Sequence, residues 1–507
     1  MNDPVDIIFC SLPYSEIELP YSAPAILKAI VKAEGYTAKT KDFGMVLFDL
    51  CGRDAILMGK LQHYFISPSN PLSESEQKIK DKFYDEIISY FKENPSKYIG
   101  ISVFTLLTHK CTYEITQRIR EEKIPSKIVI GGRGAKSLPY SVMKETMNLN
   151  FFEKSTYYGY VLQQRKLVDH VVIGDGEDAI LDVLSGNKEI KENYSAETFE
   201  YPIPDYSDYE LTSYHWKNDI ISFPITGSRG CVRDCDFCDI RHHFGKYKYR
   251  KGKDIAEEML KIHKQYGFTK FNFTDSLVNG GLKPLEEFCS IIADYNNNNP
   301  ENKLSWTGQY VCREAKFMPE RLYRLMAESG AEGLTIGAES GSDHVLEHMD
   351  KKTTATALLE ELEMFRKYGI TSFLLILIGH WGEREEDFVE HCRVMAKLLP
   401  FIRSGTISMI SLGVPAMVLD GTPAVKEVDE GKIIRAEFDK EFVWLAKYNP
   451  TNTLKERIWR RLIISRLSDA LQYPLDREVI QLSEINNTLS KNHKEINEFF
   501  RETLAQL

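Results

Sequence analysis

Short apolar runs alternate with helical stretches along most of this chain, and that alternation restricts it to a parallel α/β architecture. Residues 6–10 (DIIFC), 99–104 (IGISVF), 127–131 (KIVIG) and 169–173 (DHVVI) are rich in branched and aromatic side chains, as buried strands are. Ser22–Ala33 has helical spacing, with Pro24 in its first turn and Gly35 just past its end. Residues 1–190 are therefore expected to fold as a doubly wound, Rossmann-like parallel sheet. Gly131, Gly132, Gly174 and Gly176 follow strand ends directly. Glycine there lets a ligand approach the backbone at the carboxyl edge of the sheet.

Residues 50–96 interrupt the pattern. Within them Ile79, Phe83, Ile87 and Phe91 recur every fourth residue, which predicts one amphipathic helix, and Ser73 with Glu76 fits a capping box. Residues 191–222, with Pro202 and Pro204 and no sustained period, read as a linker. A second series of strands and helices then begins, with strand candidates at 222–226, 271–274, 304–307, 334–336, 372–378 and 406–411. Six units are too few for a closed eight-fold barrel, so a partial barrel is expected over 223–425. Residues 426–507 read as a helical C-terminal region. In 455–467 (KERIWRRLIISRL) the apolar positions share one face, and Arg457, Arg460 and Arg461 are expected on a solvated basic one.

Composition narrows the function. Lys plus Arg is 64 against Asp plus Glu 74, a net charge of −10, which disfavours nucleic acid as a partner. The basic, aromatic stretch 241–250 (RHHFGKYKYR) is the one local exception. No apolar run is long enough to span a bilayer, and the first residues lack a secretory pattern, so a cytoplasmic protein without a membrane partner is expected. The nine cysteines should then be mostly reduced thiols.

Three of those cysteines crowd into eight residues. The segment 226–240 reads TGSRGCVRDCDFCDI, placing Cys231, Cys235 and Cys238 at C-x3-C-x2-C spacing. Structural zinc needs four ligands, usually in two separated pairs, and the nearby His242 and His243 are the only local candidates for a fourth. A cubane iron–sulfur cluster held by three thiolates would keep one iron open for a substrate or cofactor. Gly227 and Gly230 allow the tight loop, and Phe237 would shield the cluster or face a bound ring.

The three-cysteine loop after the first strand of a partial barrel resembles the radical S-adenosylmethionine (SAM) superfamily, in its subgroup with an N-terminal cobalamin-binding-like domain. The resemblance implies a [4Fe-4S] cluster on Cys231, Cys235 and Cys238, with SAM on the open iron and cleaved to a 5′-deoxyadenosyl radical. It extends to 271–277 (FNFTDSL), 334–341 (LTIGAESG), 345–353 (VLEHMDKKT) and 376–379 (ILIG). On that pattern Asp275, Glu339 and Gly379 are SAM-side residues beside Phe237. The usual G-x-P-G-E-T turn is altered here to Gly379-His380-Trp381-Gly382-Glu383-Arg384. Trp306, Gln309 and Arg313 are candidate substrate contacts.

The same subgroup implies cobalamin on the first domain, with the loops bearing Ser102, Gly131 and Gly132 along the corrin edge and nucleotide tail. The D-x-H-x-x-G motif of many cobalamin domains is missing. The function implied is C-methylation of an unactivated carbon in a small-molecule or peptide substrate, through methylcobalamin, with flavodoxin or ferredoxin as electron donor. The alternatives are a radical SAM enzyme without cobalamin, a methylthiotransferase, and a non-catalytic iron–sulfur or cobalamin sensor.

Overall fold

The structure is a computed structural model, and it describes residues 3–13, 17–66, 71–136, 157–186, 199–214, 222–437, 441–476 and 493–505. The chain divides into two compact units, Met1–Ile225 and Thr226–Leu507.

In the first unit five strands form one parallel sheet: β1 (Val5–Ser11), β2 (Ala38–Asp42), β3 (Ser96–Ser102), β4 (Lys127–Gly131) and β5 (His170–Val172), in the order β2-β1-β3-β4-β5. The chain winds outward from β1 to β2, then crosses to β3 on the other side of β1. The reversal puts a topological switch point between β1 and β3, where sheets of this order bind ligands outside the carboxyl ends. Ser11 and Ser102 are register partners at that edge, and Ser102 also pairs with Gly131. One core cluster joins Ile7 and Phe9 of β1 to Val31, Val129, Val172 and Ile180 from the helix and strands around them.

The insertion folds locally as its sequence predicts. Glu74–Glu93 is one helix with Phe83, Ile87 and Phe91 buried. Ser73 and Glu76 complete the reciprocal capping box. Part of the expected linker, residues 199–214, is anchored to the first unit: Lys28 Nζ donates to Ser207 Oγ at 2.8 Å and to Asp208 Oδ2 at 2.7 Å. The rest of 191–222, apart from Ser222, lies outside the described residues.

Strand β6 (Ser222–Ile225) closes the first unit and leads into Thr226. Next, β7 (Ser228–Arg229) pairs antiparallel with β8 (Lys248–Tyr249). The strand–helix series follows: β9 (Lys270–Phe273), β10 (Ser305–Thr307), β11 (Gln309–Tyr310), β12 (Leu334–Glu339), β13 (Ser372–Ile378) and β14 (Ile407–Pro415). β10 pairs parallel with β9, while β11 pairs parallel with β12. Only Gly308 separates β10 from β11, so a single bent stretch serves two sheets. A Cβ at Gly308 would lie 2.6 Å from Val278 Cγ1, which reserves the bend for glycine. From β12 the parallel sheet runs on through β13 and β14.

Beyond residue 425 the helices are joined by strands that were too short to read. β15 (Ile433–Arg435) pairs antiparallel with β16 (Trp444–Ala446), and β17 (Leu475–Asp476) adds parallel to β14. Residues 477–492 of the expected helical region lie outside the described residues. Leu454–Ala470 is a helix, but its arginines face inward: Arg457, Arg460 and Arg461 are 0%, 1% and 7% exposed, while Trp459 is 59% exposed. The expected solvated basic face is therefore corrected. Arg457 donates to the carbonyls of Asn452 and Phe442 at 2.8 and 2.6 Å, and Arg461 to that of Gly413 at 2.8 Å. Arg460 pairs with Glu383 Oε1 at 2.9 Å. Buried carbonyls and a buried carboxylate make this interior acceptable to guanidinium groups.

Candidate functional site

The cysteine loop is anchored at its base. Asp275, just past the carboxyl end of β9, accepts from the Gly227 N–H at 2.8 Å and from Ser228 Oγ at 2.7 Å. It is fully enclosed, and burial pushes its pKa up to about 7. Asp275 is thus a support of the loop. Gly230 then turns the chain at φ 74°, a left-handed conformation that favours glycine.

Cys231 and Cys238 are half-exposed and Cys235 is buried. The Cys238 N–H donates to the Cys235 carbonyl at 3.0 Å, closing a turn that presents the thiols. The Arg233 N–H points at Cys231 Sγ, 3.4 Å away, and the Ile240 N–H donates to Cys238. Backbone donors aimed at sulfur suit thiolate ligands of a cluster. Among the described residues the His, Cys, Asp and Glu ligand atoms gathered within 4.8 Å of one another, as a single ion requires, belong to Asp236, His348 and His380 and not to the three thiols. The donor set therefore fits a multi-iron cluster better than one zinc ion. His243 meets Asp239 at 3.2 Å in place of completing a zinc set.

Asp236, inside the loop, joins it to three other segments. Its N–H donates to the Met349 carbonyl at 3.1 Å, and its carbonyl accepts from Ala424 at 2.9 Å. Its carboxylate lies 3.0 Å from His380 Nε2 and 3.8 Å from His348 Nδ1. His380 Nδ1 accepts the Gly382 N–H at 3.2 Å, so the ring proton sits on Nε2 and points at Asp236. That tautomer makes His380 and Asp236 a hydrogen-bonded clamp, with His348 close beside it. Sequence reasoning noticed only that this turn departs from the usual G-x-P-G-E-T, with Trp381 in the place of the proline, and gave His380 no role.

Glu339 ends β12 at φ 59°, next to a register shift between Gly337 and Glu339. Its carboxylate meets Lys351 Nζ at 2.7 Å, and both groups are buried. Lys351 also lies 5.8 Å from the centre of the Phe237 ring. Phe237 packs beside Trp381, Val418 and Trp444. Lys351 was visible in the 345–353 pattern but had no role assigned to it. Gly379, after β13, has φ 78°, and a Cβ there would fall 2.5 Å from Arg457 Cγ. The second unit thus gathers Phe237, Glu339 and Lys351 around the thiols and fixes the Gly379 turn against the helix Leu454–Ala470.

Trp306 is a core residue. It is buried, donates from Nε1 to Ser329 Oγ at 3.0 Å and packs edge-on to Phe273 and Phe288. Its reading as a candidate substrate contact is corrected. Gln309 is exposed, and Arg313 donates from Nη2 to the Asn279 and Gly280 carbonyls at 2.7 and 3.0 Å. In the basic stretch 241–250, Arg250 is buried against Glu258 at 2.7 Å and Lys248 is buried too, while Lys246 is exposed.

In the first unit, Ser102, Gly131 and Gly132 share the carboxyl edge. The Val103 N–H donates to the Gly131 carbonyl and the Gly134 N–H to the Val103 carbonyl, both at 2.8 Å. Gly132 has φ 102°, and a Cβ there would lie 2.8 Å from the Val103 oxygen. These glycines let the loops after β3 and β4 lock together. Cys10, Cys51 and Cys111 are buried, and burial pushes their thiols up, Cys51 to about 11.

Residues 225–395 match the family model of the radical SAM superfamily. The three-thiol loop stands at the start of the matched residues, where the cluster ligands of a radical SAM domain are expected. An uncharacterized methyltransferase of Pyrococcus horikoshii is 23% identical over 63% of this chain and 68% of its own length. The anaerobic magnesium-protoporphyrin IX monomethyl ester cyclase of Synechocystis is 24% identical over 46% of this chain, which spans half of that enzyme. Among solved structures, the radical SAM methyltransferase TsrM from Kitasatospora setae, with cobalamin and a [4Fe-4S] cluster bound, has a TM-score of 0.61 at 15% identity, covering 88% of this chain and 83% of its own. The cobalamin-dependent radical enzyme OxsB, with aqua-cobalamin and SAM bound, gives 0.61 at 15% identity over 89% of this chain and 65% of its own. At these identities the structures share the fold.

Proposed function

We propose that this chain is a cobalamin-dependent radical SAM enzyme that methylates an unactivated carbon of a small-molecule or peptide substrate. The observation that carries the reading is the pairing of domains: a three-thiol radical SAM unit preceded by a parallel sheet with its switch point between β1 and β3. TsrM and OxsB are similar across both units and are described with cobalamin bound.

When bound, the cluster would supply the electron that cleaves SAM, and cobalamin would supply a methyl carrier. The chain's own residues do the placing. Cys231, Cys235 and Cys238 hold the cluster, and Asp275 and Asp236 fix the loop that presents them. Glu339 offers a carboxylate to the hydroxyl or ammonium groups of SAM. Ser102, Gly131 and Gly132 shape the edge that takes the corrin. An electron donor such as flavodoxin or ferredoxin completes the system. Nine unpaired cysteines suit a reducing, cytoplasmic setting, and among the described residues no helix is long and apolar enough to cross a membrane.

The test is an anaerobic assay of reconstituted, cobalamin-supplied protein with SAM and a strong reductant. Formation of both 5′-deoxyadenosine and S-adenosylhomocysteine, each lost in Cys235→Ala, is expected. Formation of 5′-deoxyadenosine alone in the presence of bound cobalamin would count against methyl transfer.

A further inference from the structure

Lys351 is a buried ammonium beside the cysteine loop, held by a carboxylate from a different element. Its Nζ lies 2.7 Å from Glu339 Oε1 and 5.8 Å from the ring of Phe237, the residue just before Cys238. A Cβ at Gly337 would fall 2.5 Å from Glu339 Oε1 and 2.8 Å from Lys351 Nζ, so the chain keeps glycine where the pair needs room. Glu339 holds a left-handed backbone at φ 59°, which a non-glycine residue adopts only when its surroundings impose it. Burial alone would push the lysine toward neutrality. The Glu339 carboxylate at 2.7 Å outweighs it and holds the ammonium charged, with its pKa up at about 12.

We propose that the Lys351–Glu339 pair sets the reduction potential of the cluster, Lys351 making reduction easier and Glu339 opposing it. The proposal rests on the cluster reading of the three thiols. A cluster on three thiolates is anionic, and reduction adds one more negative charge. A fixed positive charge nearby favours that state, and a bare carboxylate disfavours it, more strongly in a buried site than in water. Removing the lysine converts a neutral pair into a lone negative charge. Removing the carboxylate leaves a lone positive one.

The two single variants should therefore move the potential in opposite directions, which a merely structural role would not do. The experiment is an anaerobic redox titration with dithionite, without SAM, followed by the electron paramagnetic resonance signal of the reduced cluster. Lys351→Met is expected to shift the midpoint to more negative values. Glu339→Gln should shift it to more positive values, and the double variant should return close to wild type. If Lys351→Met does not hold a cluster, Lys351→Gln and Glu339→Gln carry the same comparison. Midpoints unchanged in both single variants, or moved in the same direction, would overturn the proposal. A wild-type protein without any cluster signal would instead overturn the cluster reading beneath it.

Discussion

His380 Nε2 stands 3.0 Å from Asp236 Oδ1 and ties the turn after β13 to the middle of the cysteine loop. The imidazole is completely buried, and its other nitrogen is fixed by the Gly382 N–H. His380 therefore does a positional job for the loop. A hydrogen bond to a charged partner contributes about 1.5–3 kcal/mol. His380→Ala should therefore loosen the loop and speed iron loss to a chelator by roughly tenfold or more. Asp236→Asn, which keeps an acceptor oxygen, should have a smaller effect. Equal chelation rates in wild type and His380→Ala would remove the clamp from the picture.

The pair Arg460–Glu383 is buried on both sides, with side chains 2% and 1% exposed. Breaking such a pair on one side typically costs about 3–5 kcal/mol, because it leaves a charge buried alone. Arg460→Met should lower stability by that amount in denaturant unfolding. The double variant Arg460→Met/Glu383→Leu should recover much of the loss. A loss under about 1 kcal/mol in the single variant would show that the pair is solvated in solution.

Gly132 and Gly35 both have positive φ, but only Gly132 has a neighbour in the way. Left-handed backbone costs a non-glycine residue about 1–2 kcal/mol. Gly35→Ala should lose only that, since nothing lies within 4 Å of the added methyl. Gly132→Ala should lose clearly more, because its methyl meets the Val103 carbonyl oxygen. It should also reduce the cobalamin retained after desalting. Similar losses in the two variants would mean that the loops after β3 and β4 are not locked together.

His109 is buried beneath Tyr158, with ring centres 3.7 Å apart, and its Nε2 meets the Gly134 carbonyl at 2.8 Å. Burial holds its pKa down to about 4, from an ordinary 6.5. Between those values the unfolded chain takes up a proton that the folded chain refuses. Stability is then full above pH 6.5 and falls as the pH drops toward 4, by about 3 kcal/mol in all. His109→Gln should flatten that slope in unfolding measurements across this range. An unchanged slope would place the titration elsewhere.

Signals confined to one segment were legible in the sequence. Ser73 and Glu76 lie three residues apart and formed their box, and the alternation of strands and helices gave the order of both units. The three thiols were legible because their chemistry needs close spacing. The inward arginines were not, since a basic stripe on a helix looks the same whether water or buried carbonyls receive it. β15 and β16 were missed because a three-residue strand shows no period. The Glu339–Lys351 pair bridges a turn and a short helix, and His380 meets Asp236 across 144 positions. No local pattern announces such meetings.

The most direct measurement is the ultraviolet–visible spectrum of protein reconstituted anaerobically with iron, sulfide and cobalamin, then desalted. Corrin bands retained beside the broad iron–sulfur absorption, near one cobalamin per chain, are the expected result. Iron–sulfur absorption without corrin would contradict the cobalamin-dependent reading and leave a radical SAM enzyme whose first domain serves another purpose.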